Sequence, residues 1–137
     1  MTVRWRMALA GAALACGATA LAQDSAPLSP DLAKALEGRV PGKPANCISR
    51  SQVGGPEIID NRNILYHQSG ARIWRNELTD HCPTLRDNDI VVIETFGDQI
   101  CRYDRFQVIN RNSGIPSPYC ILGRFTPYDK VKPAPKP

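Results

Sequence analysis

No lysine occurs between Asn46 and Pro127. All five lysines lie outside that stretch, at Lys34, Lys43, Lys130, Lys132 and Lys136. Within it nine arginines stand against nine acidic residues, so the central region is close to neutral. Such a region lacks the basic footprint that a phosphate backbone requires, and nucleic acid is not an expected partner. Long apolar runs are scarce too. After the first 22 residues none approaches the ~18 needed to cross a bilayer, so no transmembrane segment is expected in the mature chain. Histidine is limited to His67 and His81. The chain holds no C-x-x-C, G-x-S-x-G, H-E-x-x-H, phosphate-binding loop or dinucleotide glycine pattern. No catalytic residue, metal ligand or cofactor is assigned on that basis.

What the chain does hold begins with an export pattern. Arg4 and Arg6 precede the apolar run Met7 to Cys16, and Ala20-Leu21-Ala22 has the small-residue form of a cleavage site. Residues 1–22 read as a signal peptide, and a periplasmic or secreted location is expected. The alternative is a lipid anchor through Cys16, although Ala13, Leu14 and Ala15 fit a lipobox less well. Removing Arg4 and Arg6 lowers the formal charge from +4 to +2. Cys47, Cys82, Cys101 and Cys120 remain, an even set for an oxidising compartment. Four cysteines allow three pairings, and sequence alone selects none. The favoured pairing is Cys82–Cys101 with Cys47–Cys120, on the reasoning that Cys82 feeds a strand paired with the one bearing Cys101. Closing the longer loop would stabilise by about 4 kcal/mol in the chain-entropy model.

Residues 23–45 read as a linker with one short helix. Ser29 suits its N-cap, Pro30 its first position, Asp31 its first turn and Gly38 its end. Residues 46–127 read as a disulfide-stapled β domain, and 128–137 as a disordered Lys/Pro tail. Period-two segments rich in β-branched and aromatic residues are expected at 47–53, 57–60, 64–68, 71–78, 89–96, 99–103, 106–109 and 119–125. The expected fold is all-β: a small barrel or sandwich of about six to eight short antiparallel strands, preceded by the helix. Ser69-Gly70 and Gly97-Asp98 each separate two strand patterns by two residues, a hairpin signal. The second hairpin would pair Phe96 with Gln99, Glu94 with Cys101 and Val92 with Tyr103. Both of its faces are apolar near the middle, so it is expected at the centre, covered on both sides.

Few side chains signal chemistry. Tyr66, Arg72, Trp74 and Arg75 cluster around the Ser69-Gly70 hairpin, and Trp, Tyr and Arg are typical interface anchors. They form the candidate binding face if exposed and ordinary core if buried. Glu94 is a charge in an otherwise apolar run, expected to pair with Arg102 or Arg124 or to point outward. The loops Thr79–Asn88 and Asn110–Pro118 are long enough to enter a partner's cleft.

The opening Gly38-Arg39-Val40-Pro41-Gly42-Lys43-Pro44-Ala45-Asn46-Cys47-Ile48-Ser49 resembles a family of short uncharacterised exported proteins of proteobacteria. The resemblance continues through Ile58-Ile59-Asp60, Asp89-Ile90-Val91-Val92 and Gln99-Ile100-Cys101, and ends at Leu122-Gly123-Arg124-Phe125-Thr126-Pro127-Tyr128. It implies export and one domain, and brings no activity or cofactor. The expected function is that of a non-enzymatic envelope protein binding another protein or a cell-wall component. The alternative is a small periplasmic hydrolase using carboxylates and His81, with Asp80 and a second acid converging on it.

Overall fold

A computed structural model describes residues 27–131. The expected signal peptide, Cys16 and residues 132–137 of the expected tail lie outside the described residues. Pro30 and Asp31 open helix α1 (Pro30–Ala35), and Gly38 follows it at φ +69°. Ser29 takes the N-cap position without capping through its side chain; its hydroxyl donates instead to Asp60 Oδ2 at 2.7 Å. A helix of six residues is too short to hold alone and depends on docking. It docks through Leu32 and Leu36, which pack on Leu65 and Ile73.

The described residues form ten strands: β1 (Arg39–Pro41), β2 (Cys47–Ser49), β3 (Val53–Ile58), β4 (Asn63–Gln68), β5 (Ile73–Glu77), β6 (Ile90–Ile93), β7 (Gln99–Cys101), β8 (Arg105–Ile109), β9 (Cys120–Ile121) and β10 (Phe125–Lys130). They make three antiparallel sheets, ordered β1-β10-β5-β4-β3, β2-β7 and β6-β8-β9. The all-β expectation is met as a sandwich; the described strands close no barrel. Ile58, Ile64, Tyr66 and Phe125 from the large sheet meet Phe106 and Val108 from β8, with Ile48 and Ile100 from the small pair. Alternation along β4 sends Ile64 and Tyr66 into this core and Leu65 to the helix side, so β4 is buried on both faces.

The folded unit is wider than 46–127. β1, inside the expected linker, pairs with β10, and β10 takes in Tyr128, Asp129 and Lys130 of the expected tail. The apolar segment expected at 119–125 divides into β9 and the start of β10 around Gly123. There the chain crosses β5 so closely that an added Cβ would lie 1.6 Å from the Glu77 carbonyl oxygen. Only glycine permits such an approach. Buried Asn76 locks the crossing: its amide donates to Gly123 O at 2.9 Å and its oxygen accepts from Gly123 N–H at 3.0 Å.

The Ser69-Gly70 hairpin forms as β4–β5, with Tyr66 opposite Trp74. Its loop holds three residues, because Gln68 N–H donates to Arg72 O at 2.9 Å and Ala71 joins Gly70 at positive φ. The Gly97-Asp98 hairpin does not form. Asp98 is drawn away to another segment: its carboxylate accepts from the Ser49 and Ser51 hydroxyls at 2.9 and 2.8 Å, and its carbonyl accepts from Arg50 N–H. β7 therefore pairs with β2, and β6 pairs with β8 instead.

That exchange of partners corrects the disulfides. Cys47 stands directly opposite Cys101 in the β2–β7 pair, and these two are bonded. The second bond is Cys82–Cys120, joining a fully buried loop cysteine to β9. The expected Cys82–Cys101 and Cys47–Cys120 pairing rested on a β6–β7 hairpin that the fold lacks.

Candidate recognition surface

The residues singled out around Trp74 are divided between two faces. Tyr66 is 1% exposed and belongs to the core, stacked at a tilt on Phe125 with ring centroids 5.9 Å apart. Its hydroxyl bonds no other group among the described residues, and burial pushes its pKa up. Trp74, opposite Tyr66, is half-buried and donates Nε1–H to Gln68 Oε1 at 2.7 Å. Arg72 lies 5.5 Å from the Trp74 ring centroid and is held by a two-pronged pair with Asp129 at 2.8 and 2.9 Å. Arg75 points to the other face, where Nε donates to Asn63 Oδ1 and Nη2 pairs with Glu77 at 3.2 Å. No contiguous patch of the four results. Arg72 and Trp74 remain together at a surface, with the arginine already engaged.

The histidines are both exposed. His67 Nε2 lies 2.5 Å from Glu57 Oε2 across the β3–β4 pair. His81 lines a cleft of about 260 Å³ with Asp60 and Glu77, and Asp80 is not among its lining residues. Desolvation would raise the Asp60 pKa. Bonds from the Ser29 hydroxyl, the Arg62 N–H and the Asn63 amide outweigh it, so the carboxylate is held ionised below its ordinary range. Glu77 is engaged by Arg62 and Arg75. The described residues thus do not bring His81 and Asp80 into one cleft, and the acids beside His81 already have partners.

A different region carries the features of a recognition surface. β6 is an edge strand of its sheet, with β9 at the other edge. Its inner residues Val91 and Ile93 pack against the main core. Its outer residues Ile90 and Val92 are exposed, as are Tyr119 and Ile121 at β9, on the far side of β8. Glu94, at the end of the strand, points outward. Its carboxylate accepts from the Tyr119 hydroxyl at 2.7 Å and from Arg105 Nη2 at 3.0 Å, and Arg105 lies 5.0 Å from the Tyr119 ring centroid. The Tyr119 bond, with Arg105 beyond it, holds the Glu94 pKa down despite some desolvation. Tyr119 and Arg105 are thus the partners of Glu94, in place of Arg102 or Arg124.

The ends of β6 are marked as well. Just past its C-terminal end Phe96 stands 96% exposed. At its N-terminal end the loops Thr79–Asn88 and Asn110–Pro118 come together. Arg111 Nε donates to Asn88 O, Asn110 Nδ2 donates to Asp89 Oδ1, and the loops line a cleft of about 390 Å³. Sequence reasoning missed β6 as a site because its apolar run reads as core. The isolated Glu94 was the one signal that an exposed face began there.

The edges of this fold differ in their protection. β1 ends in Pro41 after only three residues. β3 is broken by a bulge between Val53 and Pro56, at Gly54-Gly55. Prolines, bulges and short length are the usual ways to stop a strand edge from pairing with a foreign chain. β6, Ile90-Val91-Val92-Ile93, carries neither proline nor bulge and at four residues is longer than the edge strands β1, β2, β7 and β9. Glu94 N–H donates to Arg105 O at 3.0 Å. Alternation along an antiparallel ladder then turns the amides of Ile90 and Val92 toward β8 and those of Val91 and Ile93 toward the open side.

Two disulfides are formed, and no described helix is long and apolar enough to cross a membrane. Comparisons with protein-family models, with curated proteins and with solved structures returned no match.

Proposed function

We propose that this chain is an exported, non-enzymatic envelope protein that binds another protein by taking an extended segment of it along β6. The observation that carries this reading is the unprotected β6 edge in a molecule whose large sheet is blunted at both sides. Main-chain hydrogen bonds from Val91 and Ile93 would supply affinity, and the outer face would supply selectivity through alternate side chains. Tyr119 and Arg105 are residue types that dominate interface energies, and Phe96 would anchor the far end. The paired loops at the other end would fix where the segment starts. The export pattern in residues 1–22 and the disulfides, which persist in oxidising compartments, support the exported part of this reading.

The test compares the oxidised wild-type chain with Val91→Pro. Proline removes one outward amide hydrogen and leaves the β8 ladder intact. Both proteins are immobilised and exposed to envelope extract at physiological salt, after their melting temperatures have been shown to match. The expected result is a partner retained by wild type and lost by the variant, with slowed amide exchange at Val91 and Ile93 in the complex. Failure of wild type to retain anything, or equal retention by Val91→Pro, overturns the reading. If the retained species is the chain itself, confirmed as a dimer by sedimentation, a second copy replaces the protein partner.

A further inference from the structure

Where Gly123 crosses β5, a cleft of about 300 Å³ is lined by Arg62, Arg102 and Arg124. These come from three separate segments: the β3–β4 turn, the β7–β8 turn and the β9–β10 link. Their convergence is a tertiary event, and no local motif contains it. The only acidic residue lining the cleft is Glu77. It is shared between Arg75, at 3.2 Å, and Arg62 Nε, at 3.7 Å, beyond hydrogen-bonding reach for the latter. Among the described residues no carboxylate lies within ion-pairing distance of Arg102 or Arg124. The lining therefore carries two positive charges in excess, within a domain whose arginines and acids balance.

The guanidinium groups are also under-bonded. Arg62 Nε and Arg102 Nε are both shielded from solvent and hydrogen-bond no group among the described residues. Burying such donors without partners is unfavourable, and most native structures avoid it. The surroundings nevertheless hold Arg102 in place. Its backbone N–H donates to Asn46 O at 2.6 Å, and its guanidinium carbon lies 4.3 Å from the Tyr103 ring centroid. Tyr103 itself sits at φ +74°, a conformation unfavourable for a bulky residue, and is fixed there by donating N–H to Leu122 O at 2.9 Å. Backbone strain of this kind gathers where a side chain must be held for a purpose. Gly123 completes the cleft, since any larger residue would push the crossing away from Glu77.

We propose that this cleft is a binding site for a phosphoryl oxyanion, free or as the terminal group of a larger molecule. Arginine forks match the oxygen geometry of phosphate, and several donors from different directions suit a tetrahedral anion better than a planar one. Two excess positive charges match a phosphate dianion. The site is separate from β6 and needs no protein partner, so it stands or falls independently of the reading above.

Isothermal titration of the oxidised chain tests it, with inorganic phosphate and glycerol 3-phosphate as separate titrants and chloride matching the ionic strength. Arg102→Gln and Arg124→Gln are the site variants. Lys34→Gln, exposed on α1 and outside the cleft, removes the same charge elsewhere. Saturable phosphate binding is expected, weakened about tenfold or more by either site variant, as loss of a charge-assisted bond implies, and unchanged in Lys34→Gln. Glycerol 3-phosphate binding as tightly as phosphate would mark a terminal group as the ligand, whereas binding of phosphate alone would mark the free ion. No saturable binding of either titrant overturns the proposal. So does equal weakening in Lys34→Gln, which would reduce the effect to bulk charge.

Discussion

β4 and β6 look alike as strings of residues, Ile64-Leu65-Tyr66 and Ile90-Val91-Val92-Ile93, yet they lie at opposite extremes of the fold. β4 is flanked by β3 and β5 and covered on both faces, by the main core and by α1. β6 has one neighbour, one covered face and an open edge. The difference comes from a six-residue helix that supplies β4 with a second layer and has no counterpart over β6 among the described residues. An apolar outer face thus joins the core where a second layer arrives and stays exposed where none does.

Breaking the second disulfide should have the largest effect on this contrast. Cys82→Ala with Cys120→Ala removes a cross-link across 38 residues, for an expected loss of about 4 kcal/mol by chain entropy. Because Cys120 belongs to β9, amide exchange should accelerate first in β8 and β9 while β4 and β5 stay protected. Equal loss of protection in both sheets would show that the two regions are one cooperative unit and break the comparison.

Leu65→Ala probes the other side, where a fully buried leucine lies between β4 and α1. Truncation there should cost about 2–5 kcal/mol in urea denaturation, the range for buried leucines. A cost below about 1 kcal/mol would mean that α1 adds little to the burial of β4. Val92→Thr should do least. Val92 is on the exposed face of β6, and its replacement should change stability by no more than about 0.5 kcal/mol. A loss above about 2 kcal/mol would show instead that the face is covered in solution.

The legible part of the fold was its local part. Period-two patterns placed most strands, proline and glycine placed α1, and Ser69-Gly70 placed the β4–β5 hairpin with one loop residue too few. The β6–β7 hairpin failed because the Gly97-Asp98 signal was outweighed by distant hydroxyls at Ser49 and Ser51. Once β7 paired with β2, both disulfides followed differently. Of the candidate site, Arg72 and Trp74 stayed at a surface while Tyr66 entered the core and Arg75 turned to the far face. Alternation along adjacent strands separates neighbouring residues such as Trp74 and Arg75, and which face is covered is not written in the alternation.

By itself the sequence determined an all-β chain, four cysteines beyond residue 22 for two cross-links, a short helix and a central region without lysine. These follow from composition and from interactions a few residues long. Which cysteines meet, which apolar strand is roofed, which edge stays open and which arginines share a cleft were decided only in the tertiary structure. Each depends on segments tens of residues apart, whose encounter is set by competition among many contacts of similar strength.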